Sequence, residues 1–287
     1  MANLKEIRNR IASIGSTIKI TSAMKMVSAA KLKKAQDAII EMRPYSNKLT
    51  ELLQNLSATL DSDDGGVYTE QRELNKVLLV AITSNRGLCG GFNSSVIKEI
   101  REIVSTKYAD KEINVLTIGK KGNDLLSKEF TIYENKGEIF DDLTFENVAV
   151  IAEDLMDQFT NKNFDQIVLV YNQFKNAVTQ IMTEEQFLPI VSTKSDNSTG
   201  ITDYLFEPSK KEIVQVLIPK SLKTQLFKAI RDSYASEHGA RMTAMHKATD
   251  NATDLRNELL LKYNKARQAA ITSEILEIVG GAEALKG

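Results

Sequence analysis

The sequence predicts an α/β protein in which long N- and C-terminal helices form an antiparallel two-helix coiled coil, with an α/β domain between them in the chain. Three observations carry that prediction. Apolar residues recur at alternating three- and four-residue steps from Leu4 to Leu60, short β-branched runs alternate with amphipathic stretches in the middle, and a polar stretch without proline follows Pro219. At 287 residues and 42% hydrophobic content, the chain can bury a real core.

The first element is a helix over about residues 3–60. Leu4, Ile7, Ile11, Ile14 and Ile18 form a coiled-coil seam, which resumes at Leu32, Ala35, Ile39 and Met42 and runs on through Leu49, Leu53, Leu56 and Leu60. In between, the register holds but the seam positions are Thr21, Lys25 and Ser28. Such a helix spans roughly 85 Å at 1.5 Å per residue. Pro44 marks the place for a kink, and the turn formers DSDDGG at 61–66 end the helix.

The middle follows a different pattern. KVLLVAIT (76–83), INVLTIG (113–119) and QIVLVY (166–171) read as buried strands, and amphipathic stretches around Val96–Val104 and Phe145–Phe159 alternate with them. That alternation is the mark of a layered α/β domain with a mostly parallel sheet. A less regular part ending in GITDYLFEPS (200–209) leads out of it. Pro219 suits a first helical position, and the helix it opens continues to about Leu285, tolerating Gly239. The domain boundaries expected are 1–60, 61–208 and 209–287. One helix enters the central domain and the other leaves it, so if both lie on one side they run antiparallel.

Charge divides the chain in the same way. Residues 1–60 carry a net +6, residues 209–287 a net +4, and the middle −11, within an overall −1. No run approaches the ~20 apolar residues of a membrane span, and the N-terminus lacks an apolar leader, so the chain reads as soluble and facing the cytoplasm. The single cysteine, Cys89, excludes an internal disulfide and a cysteine-rich zinc site. His238 and His246 are eight residues apart rather than four and read as ordinary helix-surface histidines, so no metal site is expected.

The stretch SNRGLCGGFNSS between a strand and a helix is where nucleotide folds cradle phosphate. Yet Gly87, Gly90 and Gly91 fit neither GxGxxG nor GxxxxGK[ST], so a tight structural turn is the better reading and no cofactor is expected. Asn93 or Ser94 is expected to cap the next helix, and Cys89 near its start to be a mildly acidic thiol without a base. The pairs Asp63/Asp64, Asp141/Asp142 and Glu184/Glu185 are solvated loop charge, because adjacent residues do not converge on one point. No catalytic triad can be assembled. Three readings remain for the basic helices, with Arg8, Arg10, Lys19, Lys31, Lys33 and Lys34: a coiled-coil adaptor for nucleic acid, a plain solvated face, or a rod seated inside a protein collar.

Five blocks then bear on the choice. In order, IRNRIASIGSTIKITSAMKMVSAAKL, ITSNRGLCGGFN, DYLFEP, SEHGARMTAMHKATDNATDL and LLLKYNKARQAAITSEILEIVGGA closely resemble the gamma subunits of bacterial-type F-type ATP synthases, over nearly the whole chain. The resemblance implies a central rotor shaft: a coiled coil of both termini inside a hexamer of alpha and beta subunits, and a Rossmann-like α/β base bound to epsilon and to the membrane c-ring. It implies no catalytic residue, no cofactor, no metal and no nucleic acid on this chain. It implies a peripheral place on the cytoplasmic face of a bacterial inner membrane, reached only through the complex. By the same resemblance Met24, Lys25, Arg241, Arg267, Gln268, Thr272 and Glu274 face the hexamer. Tyr204, Leu205, Phe206, Glu207 and Pro208 lie near the c-ring and epsilon. The polar seam at Thr21–Ser28 is then expected to meet acidic loops of that collar, making and releasing contacts. The inserted regulatory cysteine pair of chloroplast members is missing, which leaves no thiol control of that kind.

Overall fold

The structure, a computed structural model, describes residues 4–57, 67–190 and 210–284. The turn expected at 61–66 and the segment Tyr204–Pro208 lie outside the described residues. These residues form a long N-terminal helix α1 (Leu4–Ser57), a five-stranded sheet with three shorter α-helices, and a long C-terminal helix α5 (Lys210–Ala284). In chain order the central elements are β1 (Lys76–Ile82), α2 (Phe92–Thr106), β2 (Glu112–Ile118), α3 (Lys120–Leu126), β3 (Thr131–Asn135), α4 (Phe145–Thr160), β4 (Gln166–Phe174) and β5 (Gln180–Leu188).

The chain divides into two compact units, and the division falls inside both long helices. The first unit comprises residues up to Ser28 and those from Met242 on; the second runs from Ala29 to Arg241.

In the first unit the two helical segments are antiparallel. The Arg8 guanidinium donates to the Tyr263 hydroxyl at 2.8 Å, and thirteen residues further along α1 the Thr249 hydroxyl donates to Thr21 Oγ1 at 2.7 Å. The seam residues Leu4, Ile7, Ile11, Ile14 and Ile18 are half-buried, while their neighbours Lys5, Arg8, Arg10 and Lys19 are exposed. The expectation for the polar seam needs correction. Thr21 and Ser28 are buried, 9% and 2% exposed, and Thr21 hydrogen-bonds α5 instead of waiting for an outside partner. Its own hydroxyl returns to the Thr17 carbonyl at 3.0 Å, so a polar group sits inside the pair without an unmade bond. Leucine at both positions would therefore overpack the pair. We expect Thr21→Leu/Ser28→Leu to lower stability by about 2–4 kcal/mol, read as a shift in the urea midpoint. A gain in stability would show that the seam has room.

The second unit is a three-layer α/β/α sandwich. Strand order is β3-β2-β1-β4-β5, parallel except for β5, which runs antiparallel beside β4. Alternate side chains of β1 feed two cores, as the two-residue period of a strand requires. Val77, Leu79 and Ala81 pack with Val96, Ile97 and Ile100 of α2 and Leu126 of α3. Leu78, Val80 and Ile82 pack with Val148, Leu155 and Phe159 of α4 and with Ile218, Leu222, Leu226 and Ile230 of α5. Both faces of the central strands are covered, which is why they read as continuous apolar runs.

α5 starts nine residues before Pro219, so that proline lies inside the helix instead of opening it. α1 likewise continues through Pro44. A proline removes only one main-chain donor, and each helix is held over many further turns.

Candidate functional site

The crevice at the carboxyl ends of the strands, where β1 adjoins β4, is the usual ligand site of a doubly wound sheet. Beside it, above β1 and β2, the first donors of α3 are taken. Thr83 Oγ1 accepts the Gly122 N–H at 2.9 Å, the Ser84 carbonyl accepts Lys121 N–H at 3.0 Å, and Asn85 Oδ1 accepts Lys120 N–H at 2.9 Å. The first N–H groups of α3, the kind that hold phosphate elsewhere, thus already have acceptors in the chain. Gly119 makes this closure possible: with φ of 121°, it passes so near Thr83 that a Cβ would lie 2.4 Å from the Thr83 carbonyl oxygen.

The glycine turn after β1 is tied down in the same way. Neither Asn93 nor Ser94 caps α2, whose N-cap is Gly91 without a side-chain bond. Asn93 Oδ1 instead accepts the Ser84 N–H at 2.9 Å, and its amide donates to Cys89 Sγ at 3.3 Å. Cys89 is 2% exposed, and burial pushes its thiol up, against the smaller downward pull of Ser84 and the Arg241 charge. The acidic thiol expected from its position near a helix start is overturned by that burial. Leu88 and Gly90 both have positive φ, 62° and 60°, and Leu88 stands 65% exposed at the tip. A bulky residue in the left-handed region persists only where its surroundings hold it.

What holds it comes from α5. Arg241 is 7% exposed; its Nη2 donates to the Arg86 carbonyl at 2.9 Å, its guanidinium lies 3.4 Å from the Gly87 carbonyl, and Nη1 donates to Glu237 at 2.6 Å. Burial raises the Glu237 carboxyl and outweighs the opposing pull of Arg241. His238, expected on a helix surface, is instead 5% exposed, with Nδ1 3.4 Å from Arg241 Nη1. Arginine only donates, so Nδ1 is the acceptor and the proton resides on Nε2, which has no partner among the described residues. Burial, with the Arg241 and Lys31 charges, lowers His238 to about 3. His246 is exposed and faces Asp250.

The sign of the pH effect follows. The unfolded chain protonates this imidazole near 6.5 and the folded one only near 3, so stability is fully present above pH 6.5 and falls as pH drops towards 3. Between pH 7.5 and 5.5 we expect the native chain to lose about 1 kcal/mol more than His238→Gln, measured by urea unfolding. Equal losses would place the charge elsewhere.

The other residues singled out from sequence are distributed as follows. Met24 and Lys25 are half-buried on α1, and Arg267, Gln268, Thr272 and Glu274 are exposed on α5. Arg241, grouped with them, is turned into the glycine turn. From the antiparallel register, Leu4 lies level with about Arg267, and beyond it α5 carries roughly 25 Å of helix with no described α1 residue opposite. That stretch exposes Ile271, Ile275, Leu276, Ile278 and Val279. Sequence reasoning missed Glu237, whose signal was only its spacing of four from Arg241. No group of three or more metal-ligating side chains occurs among the described residues.

A doubly wound, mostly parallel sheet that follows one long helix in the chain and precedes another defines an α/β protein with long helical ends. The ATP synthase family model matches residues 3–285, and the chain belongs to that family, among its gamma chains. It is 69% identical to the ATP synthase gamma chain of Flavobacterium psychrophilum and 70% identical to that of Flavobacterium johnsoniae, each over 287 residues and the full length of both chains. Among solved structures, its fold resembles a chain of the Euglena gracilis mitochondrial ATP synthase OSCP/F1/c-ring assembly, with a TM-score of 0.73 at 21% identity over 98% of this chain and 94% of that one. It also resembles a chain of the Tetrahymena thermophila mitochondrial ATP synthase central stalk and c-ring, with a TM-score of 0.59 at 24% identity over 80% of this chain and 99% of that one. As a gamma chain it is a non-catalytic subunit of an ATP synthase complex.

Proposed function

We infer that this chain is the central rotor shaft that couples proton flow through a membrane c-ring to ATP synthesis and hydrolysis in an alpha/beta hexamer. The observation that carries the inference is the end-to-end similarity, near 70%, to ATP synthase gamma chains. The apolar end of α5, uncovered by any described residue of α1, supports it, since an exposed row of Ile and Leu calls for an enclosing partner. In this reading Met24 and Lys25 on α1 and Arg267, Gln268, Thr272 and Glu274 on α5 touch the hexamer. Lysine stems pack there while their charges stay wet. Tyr204, Leu205, Phe206, Glu207 and Pro208 face the c-ring and epsilon. Arg241 acts from inside, by holding the glycine turn. No helix among the described residues is long and apolar enough to cross a membrane, and the chain reaches the cytoplasmic face of the bacterial membrane through its complex.

Each charge crossing the membrane releases ~2.3 kcal/mol per 100 mV, and that energy must arrive at distant sites as rotation. An asymmetric shaft does this by pressing differently on chemically identical subunits, which couples the sites through a rigid body. Purification from native membranes tests the reading. Alpha, beta and epsilon subunits are expected at fixed ratios with this chain, and the chain alone is expected to hydrolyse no ATP. Recovery without those subunits, or ATPase activity in the isolated chain, overturns it. Salt-sensitive binding to DNA would instead favour the nucleic-acid adaptor.

A further inference from the structure

Five consecutive residues of α5, Ala235, Ser236, Glu237, His238 and Gly239, are all buried, and Arg241, also buried, lies two residues further on. At 100° per residue five positions point in every direction around a helix, so the second unit encloses α5 on all sides at this level. Two loops at the carboxyl edge of the sheet contribute to the enclosure. The turn after β1 is bound by Arg241 through the Arg86 and Gly87 carbonyls. The hairpin between β4 and β5 approaches Gly239, where a Cβ would lie 3.1 Å from the Ala177 carbonyl oxygen and 3.2 Å from its Cα. Residues 239 and 241 are about 200° apart on the helix, so the loops meet it from opposite sides. One contact is a charged hydrogen bond of defined direction, and the other is a close backbone approach that leaves little room for a side chain at residue 239.

We propose that the stretch Ser236–Arg241 is a rotational lock that fixes the angular setting of α5 against the sheet, with Glu237 as the positioning residue that aims Arg241 at the glycine turn. The proposal rests on the rotor reading, because a rotor must pass torque between its sheet and its helix. A smooth apolar contact resists separation but resists turning weakly. A keyed contact resists both, since turning α5 would break the Arg241 bonds on one side and drive a side chain into Ala177 on the other. Glu237 aims Arg241 through the 2.6 Å bond, and its charge also bears on Arg86 and Cys89 in the same turn.

The test uses the whole complex in inverted membrane vesicles, where ATP hydrolysis and proton pumping are measured together. With Glu237→Leu, and separately with Gly239→Leu, pumping per ATP hydrolysed is expected to fall at least threefold while hydrolysis stays within twofold of native. Glu237→Gln keeps an acceptor for Arg241 and is expected to retain most of the native ratio. Amide exchange over residues 236–241 is expected to rise at least tenfold in the leucine variants. An unchanged pumping ratio in an assembled leucine variant overturns the lock, as does a parallel loss of both activities. If the leucine variants do not assemble, Arg241→Lys, which keeps charge but loses the paired donors, replaces them, and an unchanged ratio there overturns the lock equally. Failure of the native chain to assemble with alpha and beta subunits would instead defeat the rotor reading.

Discussion

Gly119→Ala is expected to destabilise the chain by about 3–5 kcal/mol, through two effects at one atom. The backbone there has φ of 121°, which residues with a side chain rarely adopt. The added methyl would also meet the Thr83 carbonyl oxygen at 2.4 Å, its carbon at 2.6 Å and Oγ1 at 2.7 Å. Two of these are backbone atoms of the residue that follows β1, so relief would require moving a strand end that the sheet holds on both sides. The Thr83 bond to Gly122 would be disturbed with it. Gly15 supplies the control: it lies within α1 with nothing within 4 Å of a built Cβ, and Gly15→Ala is expected to stabilise by about 0.5–1 kcal/mol. Opposite shifts of the urea midpoint would confirm the pair. A change below about 1 kcal/mol for Gly119→Ala would refute the steric argument.

Arg241→Met carries the second large effect, about 3–5 kcal/mol, because it leaves the Glu237 carboxyl buried and unpaired and frees the Arg86 carbonyl of its donor. The loss is expected to shrink as pH falls, since Glu237 then relieves its charge by taking a proton. The double variant Glu237→Met/Arg241→Met is expected to be markedly more stable than Arg241→Met alone, because no charge remains to be buried. Unfolding measured for the native chain, both single variants and the double variant at pH 7.5 and 5.5 would settle this. Additive losses would mean that the two residues do not act as a pair.

Much of the fold was legible because it depends on near neighbours. The seam from Leu4 to Ile18 forecast which face of α1 is covered, and KVLLVAIT, INVLTIG and QIVLVY forecast the three central strands. β3 and β5 escaped notice for a physical reason. They are the edges of the sheet, β3 mostly exposed and β5 mostly half-exposed, so TIYEN and QIMTEEQFL mix polar and apolar residues without a clear period. Pro219 misled because proline is favoured at a helix start, yet an established helix can absorb the loss of one donor.

By itself, the sequence determined the helical ends, the parallel strands, the charge division and, through its five blocks, the family. Tertiary structure decided which polar residues lie inside. SEHGAR reads as an ordinary polar stretch of helix, and Thr21 and Ser28 read as gaps in a seam. Their burial follows from partners that local periodicity cannot report: Thr249 for Thr21, 228 residues away, and the Arg86 carbonyl for Arg241, 155 residues away. A helix repeat is written by residues three and four apart, whereas the environment of a buried charge is set only when distant segments close around it.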